Sequence, residues 1–285
     1  MNSTVKRSIF GLLFLAVMLG GLLFYETLYV ILFAFITGVM LYEFYRMTMG
    51  QTYKKLQYTA IFVGVFIFLA ANTYFFAACH LSTFISFSLI GILYLMVRSI
   101  LMKDHTEFLK TGYLYAGLLY IGLPLALSNA VVSVSGEYSG ILMVAFFCII
   151  WASDVGAYCF GMLFGQKLWP AKMCPTISPK KSWAGFIGGM LMAMLAGAIL
   201  NWTGLVNFPM IHCLIMAALM SVTGVFGDLF ESLWKRAAGI KDSGNLIPGH
   251  GGLMDRFDSA LFAIPTGYIY LLLFELVSDY EVDQN

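Results

Sequence analysis

The chain has little charge for its length. Of its 285 residues, only 11% are charged and 60% are hydrophobic. A soluble globular domain usually carries about 25% charged residues. So few polar side chains cannot cover a water-soluble particle of this size, and the composition therefore excludes that class of protein. The apolar residues form runs about as long as a bilayer is thick, which predicts an integral membrane protein.

The sequence also lacks a cysteine framework and an excess of charge of either sign. Its five cysteines form no C-x-x-C pair and no metal-ligand spacing, which favours simple packing over a redox or zinc role. The net charge of +1 gives no bulk attraction to nucleic acid. We therefore expect the lipid bilayer, and no nucleic acid, among the partners of this protein.

Nine apolar runs are separated by polar breaks, and we predict that each forms a membrane-spanning helix. The predicted fold is all-α, a polytopic membrane helix bundle without a soluble domain. The first two runs are short and adjacent, so we expect a tight helical hairpin there. Two G-x-x-x-G patterns, at 161–165 and 185–189, indicate close helix crossings. The predicted spans are 8–24, 27–41, 57–78, 82–97, 111–129, 139–162, 184–205, 210–230 and 259–277.

Positive charge is missing from every second loop. All sixteen Lys and Arg residues precede the first run or follow the second, fourth, sixth or eighth. The alternate loops and the tail 278–285 have none. Because loops rich in Lys and Arg stay on the cytoplasmic side, this alternation predicts a cytoplasmic N-terminus, an outer C-terminus and nine spans.

The end of the eighth run concentrates residues suited to phosphate chemistry. Asp228 and Glu231 lie three residues apart, so they occupy neighbouring positions on one helix. Ser232, Lys235 and Arg236 continue the same helix. Carboxylates suit Mg²⁺ that is held jointly with substrate phosphates, and Lys and Arg neutralise phosphate charge during transfer.

A glycine-rich loop follows this helix. Gly239 is placed to end the helix, and residues 244–252 include four glycines, which let a backbone approach a ligand and point N–H groups at phosphate oxygens. Asp255, Arg256 and Asp258 then open the next helix, where acids are favoured. A solvated loop that serves topology alone would explain the cations but not the acids, the histidine and the glycines. The stretch therefore indicates phosphoryl or nucleotidyl transfer at the lipid surface.

The spacing of these residues resembles the signature of phosphatidate cytidylyltransferases (CDP-diacylglycerol synthases). The pattern S-x-x-K-R-x-x-x-x-K-D begins at Ser232, and P-G-H-G-G-x-x-D-R-x-D begins at Pro248. A further segment from Ser178, S-P-K-K-S-W-A-G, resembles the family's S-P-K-K-[ST]-W-E-G, with Ala184 in place of the glutamate. The apolar run around Asp154 also resembles a family segment.

The resemblance implies the reaction of CTP with phosphatidate to give CDP-diacylglycerol and pyrophosphate. It implies Mg²⁺ as the cofactor, with a second cation left open, and a homodimer. The expected metal ligands are Asp228, Asp255 and Glu231. The expected catalytic residues are Lys235, Arg236, Lys241, Asp242, His250, Arg256 and Asp258. The expected substrate-binding residues are Asp154, Ser178, Lys180, Lys181, Ser232, Gly249, Gly251 and Gly252.

Several alternatives stay open at this point. Two interpretations of Asp154 stay open: it belongs to the active site, or it is a structural hydrogen-bond partner between helices. His250 binds phosphate, which we favour, or acts as a general acid or base. One rival function is a related CTP-dependent enzyme acting on another lipid phosphate. The other is an ion-coupled transporter that uses Asp154 and Asp228, although the sequence shows no paired inverted repeats.

The acid, base and glycine clusters all lie in the second half of the chain. We therefore expect residues 1–135 to be membrane scaffold helices and residues 136–285 to form the catalytic region. The predicted location is the inner (cytoplasmic) membrane, with the active site facing the cytoplasm.

Overall fold

Helices form most of the computed structural model, which describes residues 3–77, 80–102, 105–165, 169–244, 246 and 251–274. The predicted all-α membrane fold is thereby confirmed. The first helices are α1 (Ser3–Leu23), α2 (Glu26–Met49), α3 (Lys54–Phe76), α4 (Leu81–Ile100), a 3-10 helix (His105–Thr111), α5 (Gly112–Gly117) and α6 (Leu123–Val132). The later ones are α7 (Ile141–Leu163), α8 (Trp183–Trp202), α9 (Met210–Ala237), α10 (Met254–Phe257) and α11 (Ala260–Leu273).

Seven helical segments within the described residues are long and apolar enough to cross a membrane. They correspond to the second to eighth predicted spans. The first predicted span forms α1, whose apolar part, Ser8–Leu23, is shorter. The ninth corresponds to α11, which ends at Leu273, and the predicted span residues 275–277 lie outside the described residues. The membrane character is confirmed, while the total of nine spans and the sides of the termini stay predictions.

The second span is longer than predicted. We placed its end at residue 41, before Glu43 and Arg46, but α2 continues to Met49. The reason is that Glu43, Phe44 and Tyr45 are all buried, so the polar residues do not mark the end of this helix.

Contacts divide the chain into two compact units. The first unit combines Met1–Ser133 with Ile240–Arg256, and the second combines Val134–Gly239 with Phe257–Asn285. The segment Ile240–Arg256, which carries much of the signature, therefore packs with the N-terminal helices. The division into a scaffold and a catalytic region at residue 135 stays a prediction.

Two buried tyrosine hydroxyls of the first unit form hydrogen bonds between helices. The Tyr29 hydroxyl lies 2.7 Å from Ser128 Oγ, and the Tyr45 hydroxyl donates to the Leu114 carbonyl at 2.8 Å. Such pairing offsets the cost of removing polar atoms from water. A π turn at Leu118–Gly122 widens the fifth predicted span just before Pro124, whose ring prevents regular helical hydrogen bonding.

Glycines bring α7 and α8 into close contact in the second unit, as the G-x-x-x-G patterns predicted. A Cβ atom placed on Gly185 would lie 2.8 Å from the Ala157 carbonyl oxygen. One placed on Gly156 would lie 2.7 Å from the Gly188 carbonyl oxygen. Real Cβ atoms essentially never approach so closely, so these positions require glycine.

A β-hairpin precedes α8 and was not predicted. Strands β1 (Lys172–Cys174) and β2 (Ser178–Ser182) are antiparallel, with Lys172 opposite Ser182. Ser182 also caps α8, because its Oγ accepts a hydrogen bond from Gly185 N at 3.1 Å. The hairpin sequence has no alternating apolar pattern, which is why pattern reasoning missed it.

Candidate active site

The second unit brings the S-P-K-K segment against α9. The Nζ atom of Lys181 lies 2.7 Å from Asp228 Oδ2 and donates to the Val225 carbonyl at 3.3 Å. Nε of Arg236 donates to the Ile177 carbonyl in the hairpin turn at 3.3 Å. Two motifs that are about 50 residues apart in the sequence therefore form one polar surface.

Four carboxyl groups interact in the same unit. Asp258, which follows α10, is hydrogen-bonded to Glu231 and lies in the electrostatic field of Asp228 and Asp154. Burial, and then the negative charges of Asp228 and Asp154, raise the pKa of Asp258 to about 7. Asp258 Oδ1 also accepts a hydrogen bond from Ser259 N at 2.7 Å. Asp154 is close enough to act on the charge of Asp258, and its role at the site stays a prediction.

Two lysines compensate part of this negative charge. Lys181 pairs with Asp228, and the Nζ atom of Lys235 lies 3.3 Å from Glu231 Oε1. Ser232 Oγ donates to Asp228 Oδ1 at 3.3 Å. Glu231 is fully buried and Lys235 is nearly so, whereas the Asp228 side chain is 33% exposed. Of the acids on α9, Asp228 is therefore the one that a substrate or a cation can reach.

The donor set of this cluster fits Mg²⁺. Carboxylate oxygens are its preferred protein ligands, and Mg²⁺ shared with phosphates needs only one or two of them. Within the part of the chain that the structure describes, no three acidic, His or Cys side chains form a ready-made metal group. A cation here would thus complete its coordination with substrate phosphates and water. Asp228 and Asp255 belong to different units, and their convergence on one ion stays a prediction.

In the first unit, Asp255 holds the signature loop together. Its Oδ2 atom accepts hydrogen bonds from Ser243 N at 3.0 Å, Ser243 Oγ at 2.9 Å and Gly252 N at 2.8 Å. The Gly252 N–H group, which we expected to face a phosphate, is thus engaged within the loop. Asp255 and Arg256 lie in the single turn α10 and Asp258 follows it, so these residues do not open one long helix as predicted.

Sequence reasoning missed Glu43 on α2. This carboxylate is 5% exposed and accepts hydrogen bonds from the loop that carries Asp255. The only sequence signal was an acid flanked by aromatic residues, Tyr42 and Phe44, which we took for the polar end of a span.

The remaining predicted residues take different positions. Gly239 ends α9 with a positive φ of 69°, as predicted. Gly251 also has a positive φ, 85°, a conformation that favours glycine.

Ala184, where the family pattern has glutamate, is buried in the first turn of α8. Ser178 is half-buried in β2. Exposed residues include Lys180, Arg236, Lys241, Asp242 and Arg256. His250 and Gly249 lie outside the described residues.

Similarity to known proteins covers nearly the whole chain. The model of the cytidylyltransferase family matches residues 5–274. The phosphatidate cytidylyltransferase of Bacillus subtilis is 34% identical over 244 residues, which are 83% of this chain and 86% of that protein. The enzyme of the same name from Staphylococcus haemolyticus is 34% identical over 187 residues, 65% of this chain and 68% of that one. The enzyme of the same name from Rickettsia bellii is 38% identical over 159 residues, which are 54% of this chain and 66% of that protein. The chain therefore belongs to the cytidylyltransferase family.

Proposed function

We propose that this membrane protein transfers the cytidylyl group of CTP to phosphatidate, forming CDP-diacylglycerol and pyrophosphate. The observation that carries the proposal is the pair formed by Lys181 and Asp228, because it joins two separate family motifs at one place. Relatives that cover most of this chain are named phosphatidate cytidylyltransferases, which supports the choice of both substrates.

For this reaction the protein has to position the two substrates and neutralise the charge on their phosphates. A phosphate oxygen of phosphatidate attacks the α-phosphorus of CTP, and the bond from that phosphorus to the β-bridging oxygen breaks, so that pyrophosphate leaves with the electron pair. The lipid phosphate is already ionised, so no base is needed to create the nucleophile. In the second unit, Lys181, Lys235 and Arg236 supply positive charge for the phosphates. In the first unit, Lys241 and Arg256 supply it.

The cluster of acids supports a role for Mg²⁺. We infer that Asp228 in the second unit and Asp255 in the first are metal ligands, and a bound ion would neutralise charge on the triphosphate and on the leaving pyrophosphate. Glu231 is the weaker candidate ligand, because it is fully buried and paired with Lys235. The four interacting carboxyl groups of the second unit also favour a second cation.

The distribution of Lys and Arg supports an inner-membrane location with the site facing the cytoplasm. This side is also where CTP is available. The homodimer that the resemblance implies stays a prediction. A transporter that uses Asp154 and Asp228 is the less favoured function, because the family and its relatives are named for nucleotidyl transfer.

The proposed function is tested with purified protein in detergent micelles. Incubation with α-labelled CTP, Mg²⁺ and phosphatidate should give one labelled CDP-lipid for each pyrophosphate released. ATP and GTP should give no nucleotidyl-lipid, and diacylglycerol in place of phosphatidate should give no product.

Three results would redirect the proposal. Comparable turnover of ATP would retain nucleotidyl transfer but exclude a cytidylyltransferase. A preference for polyprenyl phosphate over phosphatidate would identify a related enzyme for another lipid. Ion-driven uptake by reconstituted vesicles without CTP turnover would favour the transporter.

A further inference from the structure

We propose that Glu43 of α2 is a positioning residue that fixes the signature loop for nucleotidyl transfer. The inference rests on the proposed function for its kinetic part and on the geometry of the first unit for its structural part. It gives the N-terminal helices a specific task in catalysis beyond that of a membrane scaffold.

The Glu43 carboxylate is bonded to two separate points of the loop. Oε1 accepts a hydrogen bond from Leu253 N at 3.0 Å, and Oε2 accepts one from Met254 N at 2.8 Å. Ser243 Oγ, whose proton faces Asp255 at the shorter distance, also lies 3.3 Å from Oε2. A carboxylate is very costly to bury unless it is hydrogen-bonded, and bonds to a charged acceptor are stronger than neutral ones. The loop is therefore tied to α2 at both of its ends.

Two glycines of the loop make room for this carboxylate. A Cβ atom on Gly252 would lie 2.7 Å from Glu43 Oε2, and one on Gly244 would lie 2.5 Å from Glu43 Oε1. Any other residue at either position would push the carboxylate away. The glycines of the signature thus serve the packing of the loop on Glu43, in addition to any contact with a ligand.

The same contacts reach Asp255, the proposed metal ligand of this loop. Ser243 Oγ lies between Glu43 and Asp255, 2.9 Å from Asp255 Oδ2. Ser243 N and Gly252 N also donate to Asp255 Oδ2. Because Glu43 holds Ser243 from one side and Leu253 and Met254 from the other, it sets the position of Asp255. Glu43 acts on the reaction only through these residues.

The test variant is Glu43→Gln, which keeps the size of the side chain. An amide has one acceptor oxygen, and its NH₂ group cannot accept a hydrogen bond, so the backbone N–H group of Leu253 or of Met254 loses its partner. The matched control is Glu26→Gln, the same change at the other end of α2, where Oε1 accepts from Asn72 Nδ2 at 3.4 Å. Hydrogen exchange, melting temperature and steady-state kinetics are measured on both variants and the wild type.

We expect hydrogen exchange in the peptide 252–257 of Glu43→Gln to be at least about tenfold faster, with α7 and α8 unchanged. We also expect kcat to fall and KM for CTP to rise, each by about tenfold, while KM for phosphatidate stays the same. A mere loss of folded protein would lower the apparent kcat and leave both KM values unchanged. Glu26→Gln should match the wild type in every measurement.

Several outcomes would overturn the inference: unchanged exchange in the loop, unchanged KM for CTP, faster exchange throughout the protein, or an equal effect of Glu26→Gln. If Glu43→Gln does not fold, Ser243→Ala is measured instead, since it removes only the hydroxyl between Glu43 and Asp255. Faster loop exchange and a higher KM for CTP then support the inference, and wild-type values overturn it. Exchange requires no turnover, so failure to form CDP-lipid would reject the proposed function without deciding the role of Glu43.

Discussion

The Nζ atom of Lys181 lies 2.7 Å from Oδ2 of Asp228, and this ion pair connects the β-hairpin to α9. The two side chains are 20% and 33% exposed, so water and substrate can reach them. Ion pairs with this exposure contribute little to folding stability, typically about 0–1 kcal/mol. The pair is therefore better explained by a task at the site than by a task in the fold.

The first prediction concerns Lys181. We expect Lys181→Met to lower kcat/KM by on the order of 10², or about 2.7 kcal/mol, because it removes a cation placed for the substrate phosphates. The midpoint of thermal unfolding should change by only a few degrees. The control is Lys172→Met, an exposed lysine of the same hairpin, which should retain wild-type kinetics. Equal losses in both variants would mean that the hairpin contributes general positive charge and no specific contact.

The second prediction concerns the orientation in the membrane. Because all sixteen Lys and Arg residues fall on alternate loops, a reporter fused after Asn285 should report the outer side. A reporter inserted beside Lys172 should report the cytoplasm. A cytoplasmic C-terminus would show that the predicted number of spans is wrong by one.

Membrane character and most span positions followed from the sequence, because apolar runs in a lipid solvent leave few alternatives. The end of α2 did not follow. Glu43 was read as a polar boundary, whereas its carboxylate is buried against a loop some 200 residues later in the chain. Periodicity and composition carry no information about a partner so distant, so this contact was visible only in the fold.

In the candidate site, too, some features followed from the sequence and others were visible only in the structure. The motifs assigned Lys181 and Asp228 to one predicted site, and the structure pairs the two side chains, while the roles of the site residues stay predictions. The signature did not predict that the Gly252 N–H group donates to Asp255. It also did not predict that the loop packs with the N-terminal helices. Spacing in a motif identifies side chains, but the hydrogen-bond partners of backbone groups depend on the packing around them.

The third prediction concerns the contact between α7 and α8. Gly156→Ala should destabilise the protein by about 1–3 kcal/mol, because the new methyl group would meet Met192 and the Gly188 carbonyl. The midpoint of thermal unfolding in detergent should fall by at least about 3 °C. The control is Gly112→Ala, since a Cβ atom there has no neighbour within 4 Å. Equal stability of the two variants would contradict the close crossing of these helices.

The fourth prediction concerns the two acids proposed to hold Mg²⁺. Asp228→Asn and Asp255→Asn keep the shape of each side chain but remove the charge that binds the metal. Each change should lower turnover by on the order of 10² or more, as losses of central electrostatic groups commonly do. Turnover should be followed over a titration of Mg²⁺ in the CTP and phosphatidate assay, and any residual activity should require more Mg²⁺ than the wild type needs.

The control for these variants is Glu137→Gln, which removes one negative charge from an exposed loop. It should retain both the rate and the Mg²⁺ dependence of the wild type. The Asp228 and Asp255 variants should also remain folded in detergent, because Asn keeps the size of the side chain and its amide oxygen still accepts hydrogen bonds. A wild-type rate and Mg²⁺ dependence in Asp255→Asn would place the metal on other residues, and the acids near Asp228 in the second unit would then be the next to test.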